Sequence, residues 1–349
     1  MQSNKKRALE SLSGKLKTLQ PQRVKALIGF DGFVDEIVHV VDKRVSTDEY
    51  LRLGSMAEYG RRIEKSAGLS TNIEMVTITQ KLGGNGAIFA NALIEYGFDV
   101  TYAGAVGVQD IHPVFADMAS RCTMIPIADP ARTDAIEFFD GKIISSKLES
   151  LKEVNWKGIC EKLGKDNLIE LLNRCEFVGF ENWTMLHNMS EIWEHMIEEV
   201  FPGLAPRAAK PTIFFDLADP EKREDSDVLH ALELIGRFND YYKTVLGLNK
   251  KEASEIAEIL GLSARETDLE TLARYIFSNI RIDALVVHPL KEACAITKDG
   301  YFAVDGPYCE LPKLTTGAGD NFNAGFISGL AAGLDMEQNL TMGAAASGY

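Results

Sequence analysis

Residues 313–326 read KLTTGAGDNFNAGF. Thr315 and Thr316 lead into Gly317, Ala318 and Gly319, then Asp320, then a run of helical character. The first turn of a helix exposes amide N–H groups without intrahelical partners and carries a partial positive charge. Glycine and alanine let a bulky anion approach those donors closely, which is how helix starts hold phosphates. A carboxylate placed there sits beside whatever the anion hole binds. As a general base, Asp320 can accept a proton from a substrate hydroxyl while the hole stabilises charge on a transferring phosphoryl group. The competing reading is a plain helix cap, but a cap does not require three small residues ahead of it.

Upstream, short apolar runs alternate with long helical patterns. VKALIGF (24–30), CEFVGF (175–180), TIFFDL (212–217), TVLGLN (244–249) and ALVVHP (284–289) read as buried strands, as does DVTYAGAVG from residue 99. Strand–helix alternation implies a parallel sheet covered by helices on both faces. A polar amphipathic helix is expected over 4–19 and a small-residue helix over 84–96, entered through GGNG. Residues 133–146 read as two strands joined at Asp140-Gly141, a hairpin signal. Segments of about 33–82 and 125–150 break the alternating rhythm and are expected to form a small β subdomain attached to a single unit spanning 1–349. Ligands of open parallel sheets bind beyond the carboxyl ends of the strands. Here those ends carry Asp31, Asp35, Asp216, Asp219, Asn249 and the Gly-Ala-Gly-Asp run.

Composition removes several function classes. A formal net charge of −14 argues against a nucleic-acid partner. The basic knot Lys5, Lys6, Arg7, Lys15 and Lys17 reads as a solvated helix face. Five cysteines without a CxxC pair suggest neither a disulfide framework nor a cysteine zinc site. The polar N-terminus and the lack of a long apolar run lead to the expectation of a soluble, cytoplasmic protein without a membrane partner. P-loop and HExxH motifs are absent, and GGNGAIF lacks the third glycine of a dinucleotide fingerprint. His187, Glu191 and His195 share helical spacing, so a metal site competes there with a solvated face. Trp183, Phe33 and Phe89 are stacking platforms or core.

The stretch Thr315 to Asp320 resembles the C-terminal signature of the PfkB, or ribokinase-like, carbohydrate kinases. GGNGAIFANALIEYG (83–97) resembles that family's N-terminal Gly-Gly signature, and Asn249-Lys250-Lys251-Glu252 resembles its Asn-x-x-Glu motif. Asp35 follows the first strand where the family places a substrate-binding aspartate. The matches fall in family order from about residue 24 to the C-terminus. The resemblance implies a ribokinase-like three-layer α/β/α sandwich with a mostly parallel central sheet and a small β-sheet lid. It also implies ATP-dependent, Mg2+-dependent phosphorylation of a sugar or sugar-like alcohol. Asp320 would be the base, with Gly317, Ala318 and Gly319 as the anion hole. Asp31 or Asp35, with Gly83, Gly84 and Asn85, would hold the sugar. Asn249, Thr315, Thr316 and His288 would serve the nucleotide, and Asn249 and Glu252 would hold Mg2+ indirectly. Lid closure would exclude water, and relatives that dimerise through their lids make a homodimer the expectation. The alternatives are a nucleoside kinase of the same fold and a sugar-binding or regulatory protein without turnover.

Four departures accompany the resemblance. Leu314 stands where the family usually has an aspartate, and VHPLKEA (287–293) lacks the threonine and glycines of the usual nucleotide loop. One extra residue separates Gly29 from Asp35, which leaves open which aspartate faces the sugar. The chain ends at MGAAASGY, inside a helix-like segment, where family members continue. The expectation is a shortened chain or an adenine wall built differently.

Overall fold

The computed structural model describes residues 2–18, 23–263, 267–289, 291–306 and 317–348. Among the described residues there are fourteen strands: β1 Lys25–Phe30, β2 Phe33–Arg44, β3 Tyr50–Arg52, β4 Met75–Gly83, β5 Asp99–Ala105, β6 Thr123–Ala128 and β7 Ala131–Glu137. They continue as β8 Lys142–Lys147, β9 Phe177–Phe180, β10 Thr212–Asp216, β11 Lys243–Leu248, β12 Ala284–Val287, β13 Glu292–Thr297 and β14 Gly300–Asp305. Nine form one sheet in the order β14-β13-β12-β11-β10-β9-β1-β5-β6. The pairs from β12 through β6 are parallel, and β13 and β14 join antiparallel at one edge.

The strands read as unbroken apolar runs because both faces are buried. Leu27, Ile213, Phe215, Leu246 and Leu285 face one core, packed under helices Asp225–Phe238, Lys250–Ile259 and Leu269–Asn279. Ala26, Ile28, Phe214, Val245 and Val286 face the other, with Phe89, Phe326 and Leu340 from helices Asn85–Glu95, Ala318–Ala331 and Met336–Ser347. Two cores flanking one sheet make the three-layer α/β/α sandwich. Phe89 lies 5.5 Å from Phe214 in a stacked pair, and Trp183 is fully buried with its Nε1 donating to Ser190 Oγ at 2.9 Å. Both are core residues.

A second, five-stranded sheet runs β3-β2-β7-β8, with β4 on the other side of part of β2. Its strands come from residues 33–83 and 131–147, so the second segment starts later than the sequence suggests. Strand β6, expected in this subdomain, instead pairs parallel with β5 and forms an edge of the large sheet. Edge position tolerates Pro126, which cannot donate to a neighbouring strand. The Asp140-Gly141 hairpin is present, with Phe138 N donating to Gly141 O at 2.8 Å. The N-terminal helix Gln2–Thr18 reaches the helix after Asp335 through Lys15, whose Nζ donates to Gln338 Oε1 at 2.7 Å. No helix among the described residues is long and apolar enough to cross a membrane. Cys122, Cys160, Cys175 and Cys294 are free thiols.

Candidate active site

A cavity of about 470 Å³ lies between the small sheet and the carboxyl ends of the large-sheet strands. The small sheet contributes Asp35 and Ile37 from β2, Lys81 from β4, Thr133 and Ala135 from β7, and Ile144 and Ser146 from β8. Alternation explains this set: Asp35 is registered against both Lys81 and Thr133, and Thr133 against Ser146, so all four share one sheet face. Thr133 Oγ1 and Ser146 Oγ are 3.1 Å apart. The other side is lined by Asn182, Ala218, Asp219, Asn249, Glu252, Gly317 and Asp320, with Gly84 and Asn85 between.

The geometry separates the two candidate sugar aspartates. Asp31 is fully enclosed and does not line the cavity. Its Oδ1 accepts from Gly86 N at 3.1 Å and Tyr102 OH at 3.1 Å, and its Oδ2 from Asn182 Nδ2 at 2.7 Å. It therefore serves the first turn of helix Asn85–Glu95 from a distance, where Gly84 offers no side-chain cap. Burial pushes Asp31 up to about 6, against the pull of those donors. Asp35 faces the cavity, and burial raises it as well, while Lys81, Thr133 and Lys142 oppose the rise.

The glycines of GGNG follow from these two carboxylates. A Cβ on Gly83 would overlap the Asp35 carboxylate, with Oδ2 at 2.5 Å. Gly84 has φ +96, and a Cβ there would lie 3.0 Å from both Asp31 oxygens. Asn85 turns toward the opposite wall, where its Nδ2 donates to Asp320 Oδ1 at 2.9 Å.

Asp320 sits in the first turn of helix Ala318–Ala331, behind Gly317 at φ +83. It is buried yet lines the cavity. Burial raises its carboxyl to about 7; Asn85 favours the charged form, whereas Asp31 and Glu252 disfavour it. Gly317 lines the cavity beside it. His288 packs on Phe322 with ring centroids 4.8 Å apart, and a Cβ on Gly319 would lie 3.2 Å from its Cε1. Burial lowers His288 to about 4, so it stays neutral at physiological pH. It borders the helix start and does not line the cavity.

Asn249 caps helix Lys250–Ile259 in a capping box with Glu252. Glu252 accepts from Asn249 N at 2.8 Å and Asp219 N at 3.0 Å. The donors are all oxygens, suited to a hard cation such as Mg2+, and the Glu252 oxygens keep further lone pairs beyond those two amides. Thr315, Thr316 and Leu314 lie outside the described residues. His187 precedes helix Met189–His195, and His195 is paired with Glu199 at 2.5 Å and stacked on Trp156. Among the described residues, the one convergent set of metal-type donors is instead Glu181, Asp216 and Asp320.

Several residues in or beside the cavity wall were not singled out from the sequence. Glu181 and Asn182 directly follow β9, where a polar pair at a strand's carboxyl end was the available signal. Lys81, Thr133 and Ser146 could have been found only by pairing the strands of the small sheet correctly.

A family model described as prokaryotic ketohexokinase matches residues 3–349. The chain is 28% identical over 334 residues to a ketohexokinase of Haloferax volcanii, covering 94% of this chain and 88% of that protein. Among solved structures, a probable sugar kinase from Rhizobium etli superposes with a TM-score of 0.66 at 17% identity, covering 93% of this chain and 92% of that one. A ribokinase of Arabidopsis thaliana, complexed with ribose and ATP, superposes with a TM-score of 0.63 at 15% identity, covering 94% and 92%.

Proposed function

The chain belongs to the prokaryotic ketohexokinase family and is a carbohydrate kinase of the PfkB type, and on that premise we propose that it transfers the γ-phosphoryl group of ATP to a hydroxyl of a ketohexose. The observation that carries this reading is the position of Asp320. It stands at a helix start on one wall of a cavity whose opposite wall presents Asp35.

In this reading Asp35 accepts hydrogen bonds from sugar hydroxyls, with Thr133, Ser146 and Lys81 beside it. Asp320 removes the proton of the attacking hydroxyl. That oxygen bonds to the γ-phosphorus, the bond to the bridging oxygen breaks, and ADP leaves. The helix-start amides around Gly317, Ala318 and Gly319 take up charge on the transferring group, a kind of contribution worth about 3 kcal/mol per donor. Asn85 holds Asp320 oriented and favours its ionised form. Asn249 and Glu252 would hold Mg2+ through water, and the ion when bound neutralises charge on the nucleotide phosphates. The five-stranded sheet acts as the lid. Two copies pairing through it belong to the same reading, because Leu51 and Ile78 keep 56% and 48% of their surface exposed; sedimentation at micromolar concentration tests this.

A second reading, a nucleoside kinase, draws on the apolar part of the lining: Phe33, Ile37, Ile88, Ala135, Ile144 and Met185. An ADP-release assay over ketohexoses, aldohexoses and nucleosides decides between them. Turnover confined to nucleosides replaces the sugar reading. Binding without turnover on any of them leaves a sugar-binding protein.

A further inference from the structure

The strand ends hold more buried acid than phosphoryl transfer requires. Glu181 follows β9, is fully enclosed, and among the described residues neither of its carboxylate oxygens has a hydrogen-bond partner. It does not line the cavity, so the sugar does not explain it. One oxygen each from Glu181, Asp216 and Asp320 lies within 4.8 Å of the other two, and all three residues are buried. The described partners of the other two members are neutral donors. Asp216 accepts from Ala218 N at 2.9 Å and Asn323 Nδ2 at 3.0 Å, and Asp320 from Asn85 Nδ2 at 2.9 Å.

A buried carboxylate without a partner costs several kcal/mol, and like charges alongside add to that cost. Protons or a cation can relieve it. Three oxygens no more than 4.8 Å apart share a point about 2.8 Å or less from each, close to the 2.3–2.6 Å reach of a Ca2+ contact and one small settling step from that of Mg2+ or Mn2+. All-oxygen, all-carboxylate ligation selects hard divalent ions over zinc or copper.

We propose that Glu181, Asp216 and Asp320 form a divalent-cation site that the chain fills without nucleotide or sugar. It is distinct from the Asn249–Glu252 position, with Glu181 as its dedicated ligand. The ion ties the end of β9 and the end of β10 to the start of helix Ala318–Ala331. A carboxylate has two oxygens, so Asp320 can meet the ion with one and the cavity with the other. The site shares Asp320 with the kinase reading, but its test requires no turnover.

The full chain, stripped with EDTA and free of nucleotide and sugar, is titrated with Mn2+ and followed by loss of the free-ion electron paramagnetic resonance signal and by thermal melting. The wild type is expected to take up one Mn2+ per chain and melt higher with it. Glu181→Gln, similar in shape but uncharged, weakens that binding at least about tenfold, while its melting point in EDTA equals or exceeds that of the wild type. Asp216→Asn provides an independent loss of a ligand. The proposal is overturned by a wild type that binds no stoichiometric Mn2+, which would make Glu181 a protonated buried acid. It is equally overturned by a Glu181→Gln protein that binds as the wild type does. The kinase reading fails on a different observation, the absence of ADP release with every sugar.

Discussion

Gly83→Ala perturbs the sugar side of the site without touching Asp320. Gly83 is not in the left-handed region, so alanine fits its backbone and the effect arises from contact alone. The added Cβ would sit 2.5 Å from Asp35 Oδ2 and closer still to Cγ and Oδ1. Ordinary contact begins near 3.4 Å, so the carboxylate must move by roughly 1 Å or leave its rotamer, at a cost of about 1 kcal/mol. The larger loss is in substrate binding. Displacing one hydrogen bond to a charged acceptor removes about 1.5–3 kcal/mol, which corresponds to a KM raised about ten- to hundredfold. Steady-state kinetics on the preferred sugar measures this, with thermal melting alongside. Gly60→Ala is the control, since a Cβ there meets nothing within 4 Å and the residue lies within helix Met56–Glu64. It should leave KM unchanged and stabilise slightly. A folded Gly83→Ala enzyme with wild-type KM would refute the assignment of Asp35 to the substrate.

Three further outcomes follow from the same geometry. Asp31 is raised from 3.8 to about 6, so the folded chain holds its proton more tightly than the unfolded chain. The stability this contributes is complete below pH 3.8 and is lost as the pH rises through 6. Asp31→Asn cannot titrate, and the stability difference between pH 4 and pH 7 in urea titrations should shrink by about 2 kcal/mol; an unchanged difference contradicts the assignment. Asn85→Ala removes the donor that favours ionised Asp320, so kcat should fall and the acidic limb of the pH–rate profile should move to higher pH. A lower kcat with an unmoved limb would deny Asn85 that role. Gly317→Ala forces an alanine to φ +83 with its Cβ 3.3 Å from Ile88. Melting should show a loss of about 1–2 kcal/mol, and kcat should drop as the helix start becomes crowded; full activity would argue against an anion there.

Much of the large sheet was legible because strands buried on both faces leave continuous apolar runs, as in ALIGF and TIFFD. Its antiparallel edge was not. Residues 287–293 resemble a displaced nucleotide loop, yet Glu292 already begins β13, which turns into β14 at Asp299 and Gly300. That Asp-Gly pair is the same hairpin signal that marked residues 140 and 141. Strand β6 looked like lid material because its apolar run is short and contains a proline. The Gly-Gly and Gly-Ala-Gly-Asp stretches pointed to the two walls of the cavity, since only small residues tolerate the carboxylates beside Gly83 and Gly84 and the left-handed turn at Gly317. Which of Asp31 and Asp35 faces the cavity depended on the path of one turn, which spacing alone does not determine. For Glu181 the strand end marked only a polar position, because its significance lies in neighbours 35 and 139 residues away, Asp216 and Asp320.

The central claim is that Asp320 is the base of a sugar kinase. Its most direct test is kcat of Asp320→Asn on the preferred ketohexose, with sugar affinity measured separately by calorimetry. The account predicts a fall in kcat of about 10²- to 10⁴-fold with sugar affinity held within a fewfold. Turnover equal to the wild type would contradict it.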